Sequence, residues 1–141
     1  EKVVETLARQ GTIVIASGGG GVPVYRDGEG RLRPAEAVID KDLASSLLGA
    51  RIGADEFYIL TDVPFVYLHY NTPLQEVREF LNYRDTLDYL EQGMFGEGDM
   101  APKIRACLHF IENGGDKSVI TEAFKLEDRS YGTKITMEYD D

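Results

Sequence analysis

Ala37-Val-Ile-Asp-Lys-Asp-Leu-Ala-Ser45 opens a helix, and Ile59-Leu-Thr-Asp-Val-Pro-Phe-Val-Tyr67 closes the strand that follows it. The first stretch reads as a helix start because Asp40 or Asp42 can cap it, with Leu43, Leu47 and Leu48 continuing on one face. The second reads as a strand, Glu56-Phe-Tyr-Ile-Leu60, that must stop at the turn Pro64 forces. A cation, Lys41, lies between two carboxylates where the helix begins. A helix start is the positive end of the dipole, so this cation is poorly placed unless the carboxylates hold it.

Outward from this pair, helices alternate with short apolar strands. Glu1 to Gln10 has the spacing of an amphipathic helix, and Gly11 is its expected stop. Thr12-Ile-Val-Ile-Ala16 is an apolar run without a polar break, which predicts a strand buried on both faces. It runs into Ser17-Gly-Gly-Gly-Gly21. A short strand over Val22–Tyr25 and a hairpin tip at Asp27-Gly-Glu-Gly30 follow. Residues 74–83 are ambiguous, since Leu74, Val77 and Leu81 also suit a helix. Thr86 to Gln92 is helical, with Gly93 as its stop. Pro102 fits the first turn of another helix, whose apolar stripe is Ile104, Cys107, Leu108 and Ile111. Asn113-Gly-Gly115 ends that helix. Ser118–Thr121 and Lys134–Met137 are further strands. This order predicts an α/β architecture with a mainly parallel sheet. In such sheets ligands gather beyond the carboxyl ends of the strands, where Ser17–Gly21 and Thr61-Asp62 lie.

The bulk properties narrow the function. With 141 residues, 43 % apolar and 28 % charged, the chain suits one domain with a real core. No apolar run approaches the ~20 residues of a membrane span. The net charge of −10 argues against a nucleic-acid partner, though a few local cations can still hold a nucleotide. A single cysteine, Cys107, excludes an internal disulfide and a cysteine-based zinc cluster, which fits a reducing, cytoplasmic setting. His69 and His109 have no metal-ligand spacing, and no nucleophile elbow is present. The absence of an initiating Met leads us to expect a piece of something longer.

Three groups of residues carry chemistry. Four consecutive glycines can present bare N–H groups to an anion, or simply form a flexible loop. Asp40-Lys-Asp42 can aim a lysine at a transferring phosphoryl group, or be a cap beside an incidental lysine. Met100-Ala-Pro-Lys103 sets a second lysine just inside a helix start, after Phe95-Gly-Glu-Gly-Asp99, whose glycines would let the segment close; a surface lysine on an amphipathic helix is the plain alternative. Asp62 can contact a nucleotide or cap its turn, and Tyr67 can stack on a base or enter the core.

Taken in order, Ile15-Ala-Ser-Gly-Gly-Gly-Gly-Val-Pro-Val24, Glu36-Ala-Val-Ile-Asp-Lys-Asp-Leu-Ala44, Ile59–Tyr67, Met100–Lys103 and Gly132-Thr-Lys-Ile135 resemble carbamate kinase within the amino-acid kinase family. The resemblance implies a three-layer αβα sandwich that moves a phosphoryl group between carbamoyl phosphate and ADP, giving ATP and carbamate. It implies that Lys41 and Lys103 stabilise that group while Asp42 holds them. Gly18, Gly19, Gly20 and Asp40 would face the acceptor; Thr61, Asp62, Tyr67 and Met100 the nucleotide; and Mg²⁺ would bridge its phosphates. It further implies a homodimer, a role in arginine catabolism, and an amino-terminal half absent from residues 1–141, which leaves this chain as the carboxy-terminal nucleotide-binding portion, inactive alone. Phe65 and Ala101 stand where the family usually has glycine, and Phe65 is expected to crowd the nucleotide mouth. Two other readings stay open: a non-catalytic nucleotide-binding or assembly module whose pocket Phe65 has closed, and a sister kinase acting on another small carboxylate.

Overall fold

The computed structural model describes residues 1–19, 21–96 and 98–138. Its centre is a four-stranded sheet. We number the strands in chain order: β1 (Val24–Arg26), β2 (Leu32–Pro34), β3 (Glu56–Thr61), β4 (Val66–Leu68), β5 (Glu76–Arg78), β6 (Phe80–Asn82), β7 (Lys117–Glu122) and β8 (Thr133–Thr136). The central order is β3-β7-β8-β6, with β3–β7 and β6–β8 parallel and β7–β8 antiparallel. The expected α/β class with a mainly parallel sheet is therefore present. Two antiparallel ribbons, β1–β2 and β4–β5, stand beside it.

Helices α1 (Lys2–Arg9), α2 (Lys41–Arg51), α3 (Tyr83–Glu91) and α4 (Met100–Glu112) complete the frame. The stripe expected on α4 is its buried face: Ile104, Cys107, Leu108 and Ile111 all lie within the core. Alternation along β3 and β7 sends Ile59 and Ile120 into the same apolar cluster. The Cys107 thiol is fully enclosed, and burial pushes its pKa up to about 12, so it has no nucleophilic character at neutral pH.

Helix α2 departs from the sequence pattern. Leu43 and Leu47 remain substantially exposed, and Ser46 is its buried residue. The helix meets α4 through its small side chains, since a Cβ at Gly49 would stand 3.2 Å from the Phe110 ring. Small residues let the two backbones approach, and leucines on that face would hold them apart. The ambiguous 74–83 region resolves into β5 and β6, because pairing with β4 and β8 supplies hydrogen bonds that outweigh a weak helical spacing. The hairpin tip is as expected, with the Asp27 carboxylate accepting from the N–H groups of Glu29 and Arg31.

The strand expected over Thr12–Ala16 does not form. Residues 12–17 have no regular structure, and Ile13 and Ile15 are 95 % and 98 % exposed. An apolar run marks a segment suited to burial, but a parallel strand has no local hydrogen-bond partner, and among the described residues β3 pairs only with β7.

Two outcomes test this packing. A Cβ at Gly115 would lie 2.0 Å from the buried Phe110 ring. Gly115→Ala is therefore expected to cost about 2 kcal/mol by overpacking, read from the denaturant midpoint. Where β3 and β7 begin, Glu56 bonds Lys117 at 2.7 Å, Tyr58 at 2.6 Å and Arg129 at 2.7 Å. These contacts, Lys117 first, hold its carboxyl near 2 against an ordinary 4.5. The unfolded chain thus takes up this proton at higher pH than the folded one. The contribution is complete above about 4.5 and is lost as pH falls toward about 2. After allowance for solvent screening it is about 1 kcal/mol. Glu56→Gln should flatten the acid limb of stability against pH; an unaltered limb would show that this carboxylate contributes nothing.

Candidate active site

Three aspartates and two lysines build the site. Asp40 is the N-cap of α2, its carboxylate accepting from the Leu43 N–H at 2.9 Å. Of the two aspartates open to that role, this settles the cap on Asp40 and leaves Asp42 free. The Asp42 carboxylate then receives both lysines. Lys41 Nζ donates to one oxygen at 2.7 Å, and Lys103 Nζ lies 3.9 Å from the other. Lys103 also pairs with the Asp99 carboxylate at 2.6 Å. Side chains in a helix lean toward its N-terminus, which is why a lysine one turn inside α4 reaches back to Asp99.

Burial separates the two lysines. Lys41 is 59 % exposed, whereas the Lys103 side chain is 7 % exposed, so the surface alternative for Lys103 is excluded. A nearly buried ammonium persists only when paired, and Asp42 and Asp99 provide the pairs. The Lys41 ammonium is held charged above its usual range, chiefly by its bond to Asp42. The Asp99 carboxyl is held below its usual range, chiefly by Lys103.

The convergence depends on how α2 crosses α4. Asp42 meets Lys103 near both N-termini, and Gly49 meets Phe110 farther along both helices, so the two run in the same direction. Between these points Ser46 Oγ donates to the Leu43 carbonyl at 2.8 Å and lies 3.2 Å from His109 Nδ1. The hydroxyl has one hydrogen, already given to Leu43, so His109 Nδ1 is the donor to it. Two positive dipole ends and two ammonium groups therefore point at one region.

Beside them is a cleft of about 500 Å³. Thr61, Asp62, Tyr67 and Met100, the four residues expected on the nucleotide side, all line it. Asp99 lines it too, joining the cleft to the lysine pair. Thr61 and Asp62 arrive from the carboxyl end of β3, and Thr61 Oγ1 donates to Asp62 at 3.3 Å. Tyr67 and Tyr70 form an aromatic wall with ring centroids 5.8 Å apart. Phe65 does not crowd this opening. Its ring packs on Tyr131 with centroids 5.1 Å apart, and it is not among the lining residues.

The glycine loop is less engaged. Gly18 and Gly19 are exposed with open space where a Cβ would stand, and neither lines the cleft. Gly20 lies outside the described residues. Sequence reasoning gave no site role to Tyr70, and named Phe95 and Asp99 only as the ends of a segment able to close. Tyr70 follows His69, whose positive φ of 51° turns the chain in a way no pattern announces. Asp99 carried a signal, its spacing of four from Lys103 at a helix start. Among the described residues no group of three His, Cys, Asp or Glu is placed to hold a metal ion, and no helix is long and apolar enough to cross a membrane.

The profile of the amino acid kinase family matches residues 1–122. The carbamate kinase of Halobacterium salinarum is 47 % identical over 135 residues, covering 94 % of this chain and 44 % of that protein. That of Thermoplasma acidophilum is 50 % identical over 121 residues, covering 86 % of this chain and 39 % of that protein. The structure of carbamate kinase from Giardia lamblia bound to AMP-PNP superposes with a TM-score of 0.87 at 34 % identity, over 97 % of this chain and 49 % of that one. The chain thus spans less than half the length of these relatives.

Stability tests the shared carboxylate directly. Asp42→Ala leaves Lys103 with one carboxylate fewer and is expected to cost about 2 kcal/mol. Asp40→Ala, which removes only a cap, should cost about 1 kcal/mol. The reverse ranking in denaturant titrations would mean that Asp42 does not hold the lysines.

Proposed function

The chain belongs to the amino acid kinase family, and on that premise we propose that it is the carboxy-terminal, nucleotide-binding part of a carbamate kinase-type phosphotransferase. The reaction is reversible transfer of a phosphoryl group between carbamoyl phosphate and ADP, giving ATP and carbamate. One observation carries the proposal: two lysines from separate helix starts meet on Asp42 beside a cleft lined by Thr61, Asp62, Tyr67 and Met100. The similarity to the Halobacterium and Thermoplasma carbamate kinases supports the choice of acceptor.

In this mechanism the protein positions and neutralises charge. The base lies against Tyr67 and Tyr70, and Thr61 and Asp62 meet the ribose. The phosphates extend toward the N-termini of α2 and α4. Lys41 and Lys103 donate to the transferring group, whose oxygens carry dispersed negative charge in a loose transition state. Asp42 keeps both ammonium groups on that point without touching the reacting atoms. Asp40 fixes the start of α2, and its negative charge further favours the protonated form of Lys41. Gly18, Gly19 and Gly20 offer main-chain donors on the acceptor side. Mg²⁺ enters as part of the substrate, held by the phosphate oxygens and neutralising them. A homodimer of the full-length protein, working in the cytoplasm in arginine catabolism, belongs to the same proposal.

In the full-length protein, Lys41→Ala should reduce ATP formation from carbamoyl phosphate and ADP by on the order of 100-fold or more, with the thermal midpoint unchanged. An unaltered rate removes Lys41 from the mechanism. A faster rate with another acyl phosphate would assign the sister activity instead. The isolated chain of residues 1–141 should bind ADP weakly without turnover; ordinary rates from it would refute the division of labour.

A further inference from the structure

Asp99 is a cap that does not cap. Asp40 on α2 and Asn82 on α3 each accept from the backbone N–H three residues on, at 2.9 and 2.7 Å. Asp99 also precedes its helix, but its backbone is already helical (φ −76°, ψ −24°) where those of Asp40 and Asn82 are extended, and its side chain makes no cap hydrogen bond. It reaches Lys103 instead, at 2.6 Å, while remaining 85 % exposed and lining the cleft. This leaves the first N–H groups of α4 without a side-chain acceptor from their own cap, facing the place where the phosphates are proposed to lie.

The charges sharpen the point. Lys41 and Lys103 are balanced by Asp42 and Asp99, so these four groups sum to zero. Asp42 is 14 % exposed and held from two sides. Asp99 is the mobile member in electrostatic terms, because solvent can solvate its carboxylate when it lets go. A phosphate arriving at Lys103 meets an ammonium free of its nearest carboxylate only after that release.

We propose that Asp99 is a placeholder anion: its carboxylate occupies Lys103 in the empty protein and yields it to the phosphate of a nucleoside di- or triphosphate. This rests on the nucleotide reading above and deepens it, assigning a residue that tunes affinity through Lys103. Releasing Asp99 costs part of the binding free energy, so its removal tightens the binding of phosphorylated ligands and leaves adenosine unaffected. Lys103 keeps Asp42 in either case.

Calorimetry on the full-length protein with ADP·Mg²⁺ and with adenosine tests this, using wild type, Asp99→Asn, Asp99→Ser and Asp99→Glu. Asp99→Asn and Asp99→Ser are expected to bind ADP·Mg²⁺ about five-fold more tightly, or ~1 kcal/mol, with adenosine unchanged. Asp99→Glu, which keeps the charge, should return toward wild type. Unchanged ADP affinity in both neutral variants overturns the placeholder and leaves the nucleotide reading standing. Weaker ADP binding overturns it too, and makes Asp99 a direct contact to the nucleotide or its metal. No ADP binding by any variant, wild type included, removes both proposals.

Discussion

A single carboxylate, Asp42, accepts from the lysine beside it and stands within ion-pair distance of a second lysine 61 positions later. Two ammonium groups repel each other, and each here also sits near the positive end of a helix. One of them is nearly buried, where an unpaired charge is intolerable. The arrangement therefore exists only while α2 and α4 remain close, parallel and in register. That explains why small residues occupy the crossing. Ser46 and Gly49 bring the backbones together, and the Phe110 ring fills the space that larger side chains would otherwise claim.

The same constraint orders the rest of the site. Because Asp40 takes the cap of α2, Asp42 is available to the lysines. Because Ile104, Cys107 and Leu108 of α4 share one apolar cluster with Ile59 of β3 and Ile120 of β7, the helix is fixed on the sheet. Thr61 and Asp62 emerge from the carboxyl end of β3, so the cleft and the cations share one rim. Fold and chemistry meet at this rim, as expected for an open sheet whose parallel strands end together.

Much of this was legible before any coordinates. The α4 stripe, the β3 and β7 strands and the hairpin at Asp27 follow from local pattern, whereas the grouping of Thr61, Asp62, Tyr67 and Met100, which line one cleft, came from the family resemblance. Local pattern reports what a segment is suited to, and fails where the outcome is decided by a distant partner. Thr12–Ala16 is suited to burial, yet no described strand covers it. Leu43 and Leu47 look like a core face, yet the neighbouring helix selects Ser46 and Gly49. Phe65 is adjacent in sequence to the cleft residues, yet its ring turns toward Tyr131. Asp99 was read only as the end of a segment able to close, and geometry reveals that its carboxylate goes to Lys103.

The most direct measurement is a crystal structure of the full-length protein with ADP, Mg²⁺ and a planar mimic of the transferring phosphoryl group. The account requires Lys41 Nζ and Lys103 Nζ both to donate to that one group, at the ~2.8 Å of charge-assisted hydrogen bonds, with Asp42 still between them. A structure in which the mimic binds while either ammonium points elsewhere would contradict it.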